Sequence, residues 1–462
     1  NNMSRFAKYM IDYPYTAQNY LNDFYNQYIS LGSWLYEMTS MPLSLDRIVL
    51  SAPNDTNSME RANLFEKSFF GMKVMVLNSL IQENFTPKTG ISVNLEMTNA
   101  SLINGMLANI QPDLALQLSR TEPVNLAMRG ALYNLSQFDD YEQVLERFGN
   151  SASEPYKYKD GVYVLPDTQS FYIMFYRKDI LESLGLSIPK TWNEFIETTS
   201  VIQRNNLQVY LPYTQITAAT TVNTGVGGLN LFASLLQQHG GSFYNSELTK
   251  CDLKNATSFK AFTFWTDFYT KYRVPTISSF YNRFRSGTVP LGIEVYTQYT
   301  QLMETAPEIK GKWGIALVPG MEKEDGTVDH TVSGSGSGCA ILSKSKNKVE
   351  AWEFLKWWTS SETQLSYNNN VEAILGSISR TTTATVEAFK KMSWDGDDLE
   401  ILMEQRSWIK EVPEIPGGYF LSRAIDQAFW EVYNNDENPK DVLTEWTDLT
   451  NDEINRKIKE YS

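Results

Sequence analysis

The stretch KDGVYVLPDTQSFYIMFYRKDILESLGLSIPKTWNEFIE (residues 159–197) joins two unlike kinds of sequence, and its reading decides how the rest of the chain divides. Val162, Tyr163, Val164 and Leu165 form an apolar, β-branched and aromatic run that reaches Pro166. A small polar patch follows (Asp167, Thr168, Gln169, Ser170), then a second apolar run over residues 171–176 and a charged, helix-like RKDILESLGL. Proline has no N–H to give a sheet ladder, so Pro166 belongs at a strand end or edge. Two short strands flanking one polar patch read as a crossing between two lobes, with the patch at the mouth of a cleft. Thr191, followed three residues later by Glu194, fits a capping box and starts a helix.

Ahead of this stretch, residues 1–45 show helix-like spacing of Phe, Tyr, Leu and Met and read as a helical preamble or the tail of a preceding domain. Residues 45–52 are a short strand candidate, residues 58–82 a long helical pattern, and TPKTG (residues 86–90) a turn before the alternating strand ISVNLEM (residues 91–97). A helical segment (residues 99–109) and a buried-type strand DLALQLS (residues 113–119) come next. Polar residues after each strand are βα logic, and open α/β sheets bind ligands at those strand ends. Beyond the opening stretch lie a polar, Thr-rich loop (residues 213–228), two helices, a strand ending in YTQY (residues 296–299), a strand from Trp313, and a largely helical C-terminal part. SGSGSG (residues 333–338) has no lysine at P-loop spacing and leads into a strand, CAILS, so it reads as a flexible crossing or a close approach of backbone to ligand, and not as a phosphate cradle.

At 462 residues the chain suggests two or three domains or lobes. Its net charge of −14 supplies no basic stripe for phosphate and argues against nucleic acid. The 26 Tyr and 11 Trp exceed what cores need and suit flat, partly wet recognition surfaces. Cys251 and Cys339 lie far apart in no metal spacing, so neither zinc nor a disulfide framework is implied. No apolar run is long enough to span a bilayer. The start at Asn1-Asn2 reads as a mature or trimmed fragment.

Taken in order, FTPKTGISVN (residues 85–94), PDLALQ (residues 112–117), the opening stretch, GGSFYN (residues 240–245), FRSGTVPLGIEVY, KWGIALVPG (residues 312–320) and KNKVEAWEFLKWW (residues 346–358) resemble extracellular solute-binding proteins of carbohydrate ABC transporters, the class of maltose-binding protein. TEPVNLAMRGAL and EIPGGYFLSR are similar to a large Gram-positive subgroup with extra sequence ahead of the binding module. The resemblance implies an α/β, two-lobed, periplasmic-binding-protein-like fold of type II, with an N-terminal helical extension. It places three hinge crossings near residues 168–171, 332–336 and 378–382, lobe one at 46–168 plus 335–378, and lobe two at 169–334 plus 379–462. It further implies a monomer that binds a mono- or oligosaccharide, passes it to ABC permease subunits, and sits at the extracellular face of the membrane on a lipid anchor, without cofactor or metal. One departure is visible: where such proteins carry a first strand directly ahead of the first helix, Phe69-Phe70-Gly71 runs straight into it. Either residues 47–51 supply that strand, or the segment is absent.

Sugars present hydroxyls and apolar ring faces, so their sites pair planar polar groups with aromatic platforms. On the first crossing Gln169 and Ser170 are expected to face the cleft. Ser119 and Arg120 end a lobe-one strand, Arg120 either donating to hydroxyls or pairing with Glu122. Tyr296 and Tyr299 leave a lobe-two strand where the family tends to place an aromatic, and Tyr419 and Arg423 follow a turn that the family aims inward. Trp394 is a further platform, and Asn223, with Thr220 and Thr221, a polar contribution from the loop. A glycoside hydrolase is the competing reading, since 54 carboxylates allow an acid and base pair; a surface adhesin is another. No nucleophile-elbow or HExxH motif appears, and His239 and His330 are a poor stock for acid-base work. WDGDDLE (residues 394–400) lacks EF-hand spacing and is expected to be a solvated turn.

Overall fold

The computed structural model describes residues 47–51, 69–98, 112–213, 231–276 and 278–460. The expected preamble (residues 1–45), the helix at 99–109 and the Thr-rich loop with Thr220, Thr221 and Asn223 lie outside the described residues.

Strands β1 (Arg47–Ser51), β2 (Asn94–Thr98), β3 (Leu114–Ser119), β4 (Leu165–Arg177), β5 (Val209–Tyr210), β6 (Leu291–Val295), β7 (Trp313–Ala316) and β8 (Gly334–Ile341) form one sheet. Their order is β2-β1-β3-β8-β4-β6-β5, with β7 also on β4. β1 pairs with both β2 and β3, so residues 47–51 do supply the strand ahead of the first helix.

The spine is β4. Of the two short strands expected around the polar patch, the first is a two-residue strand at Gly161–Val162, and the second reaches back through the patch as one 13-residue strand, which corrects the patch from a loop to sheet. The first half of β4 pairs with β8, setting Gln169 opposite Gly336 and Ser170 opposite Ser335. The second half pairs with β6 and β7 through Tyr172↔Val295 and Phe175↔Ile315. Residues 171–175 are all buried, because sheet and helices cover both faces; such a strand reads as a continuous apolar run without alternation. Pro166 sits near the N-terminal end of β4, opposite Gly338 at a shift of register that interrupts the ladder where its missing N–H would be needed.

SGSGSG is itself strand, not a flexible lead-in. Its glycines answer to close approach: a Cβ at Gly334 would stand 2.1 Å from Glu411 Oε1, at Gly336 2.0 Å from the Thr168 carbonyl oxygen, and at Gly338 2.1 Å from Val164 Cγ1. Between them, Ser337 Oγ meets Thr168 Oγ1 at 2.8 Å.

The helices that bear on the site are α1 (Phe69–Leu80), α2 (Glu122–Met128), α3 (Trp192–Arg204), α4 (Gln298–Thr305), α5 (Lys348–Trp358), α6 (Gly396–Ser407), α7 (Tyr419–Asn435) and α8 (Pro439–Glu460). α3 starts on the expected capping box, Thr191 accepting from the Glu194 N–H while Glu194 accepts from the Thr191 N–H. Two large apolar cores result. One gathers α1, β3 and α5 around Leu77, Leu116, Leu165, Ile341 and Leu355. The other gathers α3, β6, α7 and α8 around Phe175, Phe195, Ile293, Phe429 and Leu443. The chain passes between them within β4, between Val332 and Cys339, and between Ala384 and Phe389.

Candidate ligand site

The three passages lie side by side. The Gln169 N–H donates to the Thr382 carbonyl at 2.7 Å, the Ala384 N–H donates to the Asp167 carbonyl at 2.9 Å, and Thr168 bridges Thr383. Into this junction projects Arg120 from the end of β3, only 4% exposed. Its guanidinium donates to Glu411 Oε2 at 2.5 Å, to Glu414 Oε1 at 3.0 Å, to the Gly334 carbonyl at 3.3 Å and to the Val412 carbonyl. Gln169 Nε2 donates to the other Glu411 oxygen at 2.9 Å. Burial pulls the Arg120 pKa down, but Glu411 and Glu414 more than offset it and hold the group above its ordinary value. Burial raises Glu414, with Arg120 opposing.

Asp167, next to this knot, is also buried, and its Oδ1 accepts from Trp358 Nε1 at 2.9 Å while Oδ2 has no partner. Desolvation pushes its pKa up to about 7 against the hydrogen bonds from Trp358 and the Gln117 backbone. Gln117 holds a left-handed backbone (φ 56°), costly for a residue with a Cβ, and its backbone hydrogen bond to that carboxyl group opposes the upward shift.

A second cluster lies where β6 ends. Tyr296 stacks on Phe171 with ring centroids 4.6 Å apart, and Trp394 stands edge-on to Tyr296 and Tyr299 at 6.2 and 5.7 Å. Arg380, on the return passage, lies 4.5 Å over the Trp394 ring and donates to Glu372 at 2.8 Å. Tyr296, Thr297, Thr300, Ile378, Arg380 and Thr381 line a small, part-open recess with a free volume of about 10 Å³. The Tyr296 hydroxyl is buried without a partner. Burial raises its pKa, with Arg406 and Arg380 acting in the opposite sense. The recess offers threonine hydroxyls, one guanidinium, an unused phenol and an apolar wall.

The expected site residues thus separate into groups. Arg120 and Gln169 are bound up in the charged knot, and Arg120 pairs with Glu411 and Glu414 instead of Glu122. Ser119 is what meets Glu122, through both its N–H (3.1 Å) and its hydroxyl (3.0 Å). Ser170 is half-buried in the β4–β8 ladder. Tyr296 and Tyr299 are core residues, 2% and 3% exposed, and of the two only Tyr296 reaches the recess. Half-buried Trp394 donates to the Phe389 carbonyl at 2.7 Å. Tyr419, expected to point inward, is 41% exposed at the start of α7 and donates to Glu453 on α8; Arg423, one turn on, is exposed as well. Asp397 and Asp398 stand in the first turn of α6, not in a free turn. His239 and His330 each place Nδ1 2.7 Å from a backbone carbonyl, away from the recess.

Arg380, Glu411 and Glu414 escaped the reading of the sequence. KEVPEIPGG (residues 410–418) did carry a signal, two carboxylates framed by valine, isoleucine and prolines, which is how a buried and paired acid looks in sequence. Arg380 has no such mark. Among the described residues no cluster of three His, Cys, Asp or Glu could hold a metal, and no helix is long and apolar enough to cross a membrane. Both cysteines are free and buried.

Comparison with known proteins adds to this geometry. Residues 81–391 match the family model described as "Bacterial extracellular solute-binding protein". A maltotriose-binding protein of Pyrococcus abyssi is 22% identical over 233 residues, which are 49% of this chain and 47% of that protein, so the match spans about half of each. Among solved structures, the sugar-binding protein MalE of Xanthomonas citri is similar with a TM-score of 0.67 at 17% identity, covering 84% of this chain and 96% of the other. A solute-binding protein of Thermotoga lettingae, solved with α-D-tagatose, gives a TM-score of 0.60 at 21% identity over 82% and 96%. The likeness to these structures is one of fold, the two-lobed binding-protein architecture of type II.

Proposed function

The chain belongs to the bacterial extracellular solute-binding proteins, and from that premise we propose that it is the capturing component of an ABC importer for a neutral sugar or oligosaccharide. Lobe one is built on the first core and lobe two on the second; the expected divisions at 168/169 and 334/335 fall within the first two passages, whereas that at 378/379 falls ahead of the third, since Ala384 still packs in the first core. The ligand lies between them. The observation that carries this reading is the recess at the end of β6, where hydroxyls, a guanidinium and a buried unpaired phenol face an apolar wall next to Trp394. That donor-rich, carboxylate-free lining suits hydroxyls of a neutral polyol. Glycoside hydrolysis needs two carboxylates flanking one bond, and none lines the recess. The lining supports a role in binding.

With a free volume of about 10 Å³ the recess has room for about one water and for no sugar ring in this arrangement. An oligosaccharide therefore enters only when the lobes part about the three passages, few residues absorbing the dihedral change. The protein acts at the extracellular face of the membrane, held there by a lipid anchor, and hands its ligand to the permease subunits. Thermal-shift measurements across mono- and oligosaccharides test the reading: at least one sugar raises the melting temperature progressively with its concentration. A flat response across a broad panel contradicts it.

A further inference from the structure

The segment between α6 and α7 carries the carboxylates that meet Arg120, and it behaves as a strap. It is fastened to the second core: Val412 and Ile415 are buried there, the Lys410 N–H donates to the Val332 carbonyl at 3.0 Å, and Gln237 Nε2 donates to the Lys410 carbonyl at 3.0 Å. Its grips on the first half are separate. Arg120 follows β3, which packs in the first core, and reaches Glu411, Val412 and Glu414. Ser151, between the first-core residues Phe148 and Ala152, accepts from the Glu411 N–H at 3.1 Å and donates to the Ile409 carbonyl at 3.0 Å.

We propose that the strap from Ile409 to Glu414, with Arg120 and Ser151, is an interlobe lock that holds the two halves in the relative arrangement described above and must release for them to part. This rests on the two-lobed reading above and adds the regulation of the same cleft. Three features support it. Arg120 has its principal partners across the divide, so separation of the lobes breaks its contacts with Glu411, Val412 and Glu414 together. Two carboxylates share one guanidinium in a dry site, which is strongly directional but gains little over hydration, since the attraction is spent against desolvation. Such a pairing fixes registry and still lets go when water enters. Finally, Gly334 leaves the space that the Glu411 carboxylate occupies, because a Cβ there would stand 2.1 Å from Oε1. The second passage is shaped to the strap. Arg120 and Gln169 hold the halves to each other, which is why neither is free for a ligand in this arrangement.

The test measures the ligand-free full chain. Nitroxides are placed at Glu142→Cys, exposed on the short helix Tyr141–Leu145 of the first half, and at Glu197→Cys, exposed on α3 of the second. The native cysteines are buried and stay unlabelled. Pulsed electron double resonance should give one distance for this background. Glu411→Gln with Glu414→Gln should shift part of the population to a different distance, with far-UV circular dichroism unchanged, and Ser151→Ala should produce a smaller shift in the same direction. An unchanged distribution in the folded double variant overturns the lock, as does a broad distribution before any substitution. Loss of the fold in both variants overturns it too, by placing the strap inside a single cooperative core. No sugar is added, so this outcome and that of the sugar screen are independent.

Discussion

Two buried arginines, Arg120 and Arg406, are 4% and 5% exposed and yet live in opposite electrostatic surroundings. Arg120 meets two carboxylates, and its pKa stands above the ordinary value. Arg406 donates to the carbonyls of Thr383 and Ala384, lies 4.7 Å over the Phe389 ring, leaves Nε unpaired, and is lowered by burial to about 10. Arg120 ties two cores together through charge. Arg406 holds the return passage through neutral dipoles. The difference teaches what each junction is for: a charged pair can be exchanged for water when the halves part, whereas a guanidinium solvated by backbone carbonyls fixes one run of chain in place.

The comparison extends to Asp167, a buried carboxyl group that, like Arg406, has no opposite charge beside it. Its folded pKa, about 7, lies above the ordinary carboxyl value of 3.8. A raised carboxyl pKa contributes stability that is fully present below the unfolded value and is lost as pH rises through the folded one. The shift amounts to about 4 kcal/mol. Asp167→Asn should therefore gain on the wild type by up to about that amount between pH 4 and 8, read from urea unfolding at each pH; parallel curves would place the group in water.

A smaller effect separates the two arginines. Removing one partner of a buried ion pair costs about 3–5 kcal/mol when the other charge stays dry. Opening lets water reach Glu411 and Glu414, so Arg120→Ala should lose somewhat less, about 2–4 kcal/mol, by chemical denaturation. Arg406→Met, which leaves only neutral carbonyls unpaired, should lose about 1–3 kcal/mol. Equal losses would erase the distinction between a charged tie and a carbonyl-solvated one.

Much of the fold was legible in the sequence. The capping box at Thr191, the helix at residues 348–358 and the strand DLALQLS all follow from local chemistry that the structure keeps. Pro166 does stand at a strand end, but the polar patch after it misled, since residues 167–170 continue β4 instead of interrupting it. SGSGSG misled in the same way, its glycines reporting what packs against them and not flexibility. The site was less legible because its decisive contacts are distant in sequence: Arg120 finds its carboxylates nearly 300 positions on, across a divide that only the folded chain creates. Tyr296 and Trp394 were visible as aromatics after a strand and in a turn, but that Arg380 would stand over Trp394 was not.

The central claim, a sugar held between the end of β6 and the return passage, is met most directly by amide hydrogen exchange. Exchange should be measured with and without a saturating amount of the sugar that most stabilises the chain. Exchange should slow both at residues 296–300 and at residues 378–381, one segment from each wall of the recess. A sugar that raises the melting temperature while leaving both segments unchanged would contradict it.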